Sequence, residues 1–491
     1  MSYGTLARWE RVSPARRPSA ARSAPTRPHL VVAAMGCAGG MVMLDQTVVA
    51  VALDPVARSL GFTTFAMHAV VLVYSLAMAA FTPVGGMASR RFGLLRTFRC
   101  GTAVFMVASG LCGLAPGGDA AEAYLLTARA VQGMGAALML PVATTLIADV
   151  YEERERGRAL AVYAGLAQIL FVMGPVVGAV LVVFFGWRSV FLVNVPVGAL
   201  TLWVIGRARV RKEAGSGRLT VGQPLAVILS LGLLVWGLYQ CGVWGVTDPR
   251  TLTALVMGTL GLALTVRFLL RSPEPLVDLR LLLIRPYAVE VALTFLVQAA
   301  QLIVVVHGTL FLRQALHLSL PAIGTALIPL VASLTTGTFL SGYLLDRFRS
   351  IRVPVLLGLT AATSGAVAWT AALPTGEYRL LVPGMILAGL GMGLPVPALS
   401  AEMMRAVPAA RRPDASVVRQ TFRQLGGAIG LASAGAVVLA VNGDAADRAG
   451  IVSAGATPGA FVVASCALGV ALLLAAVALP KRGATAPPDT P

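Results

Sequence analysis

Fourteen stretches of this chain run for about twenty residues with hardly a charge, the first being LVVAAMGCAGGMVMLDQTVVAVALDP at residues 30–55. A helix of that length spans a hydrocarbon core of about 30 Å. In such a solvent every backbone N–H and C=O must be paired internally, which leaves only helices or closed barrels. The runs are continuous, without the ten-residue alternation of barrel strands. The chain is therefore expected to be an all-α integral membrane protein. Its spans are placed near 31–52, 66–88, 96–115, 121–149, 158–184, 187–206, 222–244, 250–271, 287–311, 320–345, 352–372, 378–405, 414–440 and 457–480. With 57% of 491 residues hydrophobic and 12% charged, no soluble domain is left over.

The 39 Lys and Arg residues set the orientation. Counted along this pattern, 32 fall in the tails and alternate loops on one face, 6 on the other, and Arg129 lies inside a span. The positive-inside rule then places both termini in the cytoplasm, in the inner (cytoplasmic) membrane. The formal charge of +18 reads as topology and contact with anionic lipid, and argues against a nucleic-acid partner. Residues 1–30 are expected to be a disordered, uncleaved basic tail, since the apolar run behind them is too long for a signal peptide. Five scattered cysteines suggest neither disulfides nor a metal site.

No GxxxxGK[ST] loop, HExxH pair or nucleophile–base constellation occurs, so no nucleotide, metal, cofactor or enzymatic activity is expected. The glycines of GLGMGLPVPA (residues 389–398) lie inside an apolar span with no strand before them. Close helix packing, interrupted by Pro395 and Pro397, explains them better than a dinucleotide turn.

RAVQGMGAALMLP (129–141) and MGPVVGA (173–179) resemble two motifs of the major facilitator superfamily, the second marking its exporters. WRSVFLVNVP (187–196), PLVDLRLL (275–282) and RQLGGAIG (423–430) are similar to its fourteen-helix drug:proton antiporter branch. The resemblance implies two six-helix bundles, 31–206 and 287–480, with two further helices in the linker 207–286 and a cytoplasmic tail at 481–491. It also implies a monomer that exchanges a lipophilic small molecule for protons, with the proton gradient as energy source. An internal echo supports two halves: GGMASRRFGLLR (85–96) and SGYLLDRFRSIR (341–352) each follow a span.

The first of these loops departs from the family pattern. Gly93 is kept, but Arg90 stands where the family carries an acid, so the helix dipole it faces would repel it unless Glu152, Glu153 and Glu155 neutralise it. On that reading Arg90→Asp leaves transport intact or improves it. The second copy keeps its acid, Asp346, beside Arg347, while Arg349 replaces a glycine. Gly174, Pro175 and Gly178 are assigned to bending and close approach of the fifth helix.

Ionisable groups inside a membrane cost about 2.5–3.5 kcal/mol on insertion scales and need partners. Asp45 and Arg129 lie at matching depths when counted at 1.5 Å per residue. The pair is either a proton-coupling site, with Asp45 carrying the proton or neutralising the substrate, or a static ion pair that fixes helix register. Glu290 either stabilises a helix start or opens a polar stripe with Gln298 and Gln301. Gln132, Gln168 and Asn194 are polar groups within spans that bond either a neighbouring helix or a substrate. His307 and Trp187 read as interfacial, with gating the other role for Trp187, and Glu402 as solvated near the inner face.

The reading that results is a proton-coupled exporter of a lipophilic, cationic or amphiphilic compound such as an antibiotic, dye or toxic metabolite. A dedicated metabolite exporter or importer, and a non-transporting sensor or scaffold, are the alternatives.

Overall fold

The computed structural model describes residues 27–62, 64–208, 210, 222–245, 247–272, 275, 277–408, 411–447 and 457–479. Both tails, and most of the linker between residues 209 and 221, lie outside the described residues. The chain forms α1 (Pro28–Leu60), α2 (Thr64–Phe92), α3 (Leu94–Gly113), α4 (Ala121–Val150), α5 (Glu153–Phe185), α6 (Ser189–Leu192) and α7 (Asn194–Arg207). Then come α8 (Gly222–Trp244), α9 (Pro249–Arg271), α10 (Arg285–Gln314), α11 (Leu320–Ala326), α12 (Ile328–Phe348) and α13 (Arg352–Ala372). The last four are α14 (Tyr378–Gly393), α15 (Pro395–Ala406), α16 (Arg412–Asp447) and α17 (Thr457–Ala478).

Among the described residues, ten helices are long and apolar enough to cross a membrane, or eleven if the bent pair within α5 is one span. That is fewer than the fourteen expected. The other three expected spans are helices too: α3 carries Arg96 and Arg99, the apolar part of α8 is short (Gly222–Leu238), and α16 carries Arg419 and Arg423.

The two halves repeat one packing scheme. In the first, α1 packs on α5 and α7, and α4 on α2 and α3. In the second, α10 packs on α16 and α17, and α14 on α12 and α13. The internal echo in the sequence thus corresponds to equivalent helix neighbours. The halves meet along a seam where α2 touches α16, α5 touches α11 and α12, and α1 touches α10. The extra helices α8 and α9 pack on each other, and α8 rests on both α2 and α16.

Small residues decide how closely the helices approach. Gly389 and Gly393 of α14 lie against the α12 backbone at Leu330 and Leu334, and Gly391 against Ala362 of α13, where a Cβ would collide with main-chain atoms. The helix breaks after Gly393 and restarts at Pro395, because proline supplies no N–H for the preceding turn. Cys37, Cys100, Cys112 and Cys466 are free; the Cys241 side chain lies outside the described residues.

Candidate functional site

Asp45 and Arg129 do meet. Arg129 Nη1 donates to Asp45 Oδ2 at 2.6 Å, and both side chains are wholly buried. The other carboxylate oxygen accepts from Gln132 Nε2 at 2.9 Å and Asn194 Nδ2 at 3.1 Å. Gln132 and Asn194 also donate to Ser109 Oγ, at 3.0 and 2.9 Å, and Ser109 donates to the Phe191 carbonyl. Arg129 Nε donates to the Val70 carbonyl at 3.1 Å, and its guanidinium lies 4.2 Å from the centre of the Tyr74 ring. The network joins α1, α2, α3, α4, α6 and α7. Arg129 and Gln132 share a face because they are three residues apart on one helix. Ser109 was not singled out in the sequence, since a lone serine in a span gives no sign of its partner.

A second acid–arginine pair, with the acid buried and the arginine partly so, occupies the other half. Arg419 Nε of α16 donates to Glu290 Oε1 at 2.5 Å, and Thr294 Oγ1 donates to the same oxygen at 3.0 Å. Glu290 is fully buried, and its Oε2 has no hydrogen-bond partner among the described residues. Two turns further along α10, Gln298 Oε1 accepts from Arg423 Nε at 2.7 Å. Glu290, Thr294 and Gln298 recur every four residues and face Arg419 and Arg423, also four apart. Both arginines fall within the expected span 414–440, although the charge count assigned them to the inner face. The structure places them within α16, which begins at Arg412. Glu290 accordingly bonds a neighbouring helix rather than capping the start of its own.

Ion pairs tie the halves together toward both ends of the seam. Arg90 Nη1 at the end of α2 donates to Asp414 Oδ1 in the first turn of α16, at 3.0 Å. The expected partner of Arg90 was the acidic loop; Glu152 and Glu155 are exposed, the Glu153 side chain lies outside the described residues, and the neutralising acid is Asp414. Toward the other end, Arg313 Nε of α10 donates to Asp54 Oδ2 of α1 at 2.9 Å. Between them lies an apolar cavity of about 10 Å³, on the order of one water molecule. Thr47, Phe171, Pro175, Val305, Leu330 and Met392 line it.

The family model described as Major Facilitator Superfamily matches residues 35–431. The chain belongs to the major facilitator superfamily. Among its relatives is the multidrug resistance protein Stp of Mycobacterium tuberculosis, 32% identical over 84% of this chain and 76% of the relative. The tetracenomycin C resistance and export protein of Streptomyces glaucescens is 28% identical over 85% of this chain and 77% of the relative. A D-xylose-proton symporter structure superposes with a TM-score of 0.65 at 15% identity, over 92% of this chain and 98% of that one, and thereby shares the fold.

In this superfamily member the remaining predicted residues have distinct surroundings. Gly174 and Gly178 of α5 press on Thr47 and Val48 of α1, next to Pro175, which lines the cavity. Thr47 Oγ1 donates to the Phe171 carbonyl at 2.8 Å, the carbonyl four residues before Pro175, which has no N–H to use it. Gly93 precedes α3 with φ 87°, which glycine adopts without a Cβ penalty; Arg349 takes the equivalent turn after α12 at φ 47°. Asp346 and Arg347 are exposed and form no ion pair among the described residues. Gln301 is buried, and Gln168 Nε2 is buried without a partner among the described residues.

Two interfacial assignments are corrected. His307 is 1% exposed because α10 is enclosed by α16 and α17, and Trp187 is 6% exposed with its ring edge-on to Phe191. Glu402 is half-buried, with Arg405 as its opposite charge.

Proposed function

We propose that this protein is a proton-coupled exporter of lipophilic drugs, antibiotics or toxic metabolites, with both termini in the cytoplasm. The names of its relatives, which include multidrug resistance and export proteins, support the direction and the class of cargo. Its seam, with an ion pair toward either end, supports alternating access by rocking of the halves.

The observation that carries proton coupling is the half-partnered carboxylate of Glu290. A proton added at Oε2 removes no hydrogen bond, and it leaves Arg419 without a counterion in a buried setting. Such a charge change favours a different packing of α10 against α16. Asp45 differs, because both of its oxygens are already engaged and protonation would displace a donor. Its role in this scheme is to hold Arg129 and fix the helices of the first half.

The test is dye uptake into inverted vesicles, with and without a collapsed proton gradient, for the wild type and Glu290→Gln. Gradient-driven uptake that Glu290→Gln abolishes is expected. Uptake indifferent to the gradient sinks the proposal.

A further inference from the structure

Among the described residues, Arg423 forms no ion pair. Of the nearby acids, Glu290 is paired with Arg419 of the same helix as Arg423, and Glu402 has Arg405 as its opposite charge, with no ion pair among the described residues. The charged and titratable groups facing Arg423 are Arg419 and, from α5 of the other half, Tyr163. Its Nε is held by Gln298, while Nη1 and Nη2 make no hydrogen bond among the described residues. Three arginines against two carboxylates leave one positive charge there. Arg423 lies about 16 Å into α16, counted from Arg412, a depth at which a lone guanidinium is costly.

Its position is on the seam. Tyr163 packs on Gly39 of α1, so α1, α5, α10 and α16 converge beside Arg423. The apolar cavity lies farther along the same helices: from Gly39 to Thr47, from Tyr163 to Phe171, and from Gln298 to Val305. Steps of seven or eight residues correspond to about 10–12 Å. In the closed seam that cavity holds about one water; once the halves part, a cationic head and an apolar lining at that separation match an amphiphile with a negative end.

We propose that Arg423 is the anion seat of the transport path, and that the exported compounds are lipophilic organic anions, carboxylates or phenolates, where the sequence suggested cationic or amphiphilic ones. The inference rests on the exporter reading. Guanidinium recognises carboxylate through paired, charge-assisted hydrogen bonds, and here those bonds also supply the missing countercharge. Arg419 remains with Glu290.

The experiment uses the full-length protein in nanodiscs and a matched pair of fluorescent probes, a boron-dipyrromethene butanoic acid and its methyl ester, titrated by anisotropy. The wild type is expected to bind the acid about tenfold more tightly than the ester, in keeping with one hydrogen bond to a charged group. Arg423→Gln brings the acid to the level of the ester, and Arg423→Lys retains part of the preference, with melting curves confirming that both variants fold. Failure of the wild type to bind the acid, equal binding of acid and ester, or undiminished acid binding by Arg423→Gln overturns the proposal. Proton-driven uptake of a drug panel in inverted vesicles is scored separately: no uptake of any compound refutes the exporter reading, whatever the binding preference.

Discussion

Arg90 donates to Asp414 across the seam at 3.0 Å, so the first half carries the positive member of the pair and the second half the negative one. The sign is opposite to the family's usual acid at position 90. Arg90→Asp would set two carboxylates against each other and slow transport, contrary to the expectation from the acidic loop. The side chains are 47% and 35% exposed, and exposed pairs contribute at most about 1 kcal/mol, so a loss of up to about fivefold is expected. The charge-reversed double variant Arg90→Asp/Asp414→Arg should recover vesicle uptake. If the single variant transports normally, this pair has no part in closing the seam.

Asp45→Asn and Glu290→Gln are expected to fail in different ways. Asp45→Asn leaves Arg129 wholly buried without its counterion, a change that costs about 3–5 kcal/mol and should appear as lower expression and an earlier melting transition. Glu290→Gln also leaves an arginine without its counterion, but Arg419 is 16% exposed where Arg129 is wholly buried, so melting should shift less while the response of uptake to the proton gradient disappears. Equal melting shifts for the two variants would contradict the division of labour between the halves.

The depth of Asp45 and Arg129 was legible by counting residues, because two charges in apolar runs have little choice but each other. Gln132 followed from its three-residue spacing. Partners reached across helices, such as Ser109, left no trace, since neutral polar residues have no periodic signature of a neighbour. Arg419 and Arg423 fall within the expected span 414–440, and Arg423 opens RQLGGAIG, but in the charge count they went with the inner loop because the first turns of the 36-residue α16 are charged. Their four-residue spacing, matched to Glu290, Thr294 and Gln298, was the signal available.

Gly174→Ala tests the contact between α1 and α5. A Cβ there would overlap Thr47 Oγ1 and come within 2.8 Å of Thr47 Cβ, whereas one at Gly165 meets nothing within 4 Å. Gly174→Ala should cost about 1–3 kcal/mol through overpacking and cut uptake sharply, while Gly165→Ala should leave uptake unchanged. Similar activity in the two variants would remove the reason for glycine at 174.

Asp54→Asn weakens the tie to Arg313, where the side chains are only 15% and 23% exposed. A cysteine introduced beside Val305 should then react faster with a membrane-impermeant maleimide added from outside. An unchanged rate would mean that the pair does not restrain the outer end.

With ion pairs made toward both ends and room for about one water in the cavity between, this arrangement leaves no space there for cargo. A drug must find a chain that has already parted one end, and the measured dissociation constant is the intrinsic one divided by the fraction of open molecules. Substitutions that loosen either tie should therefore tighten apparent binding without touching the drug.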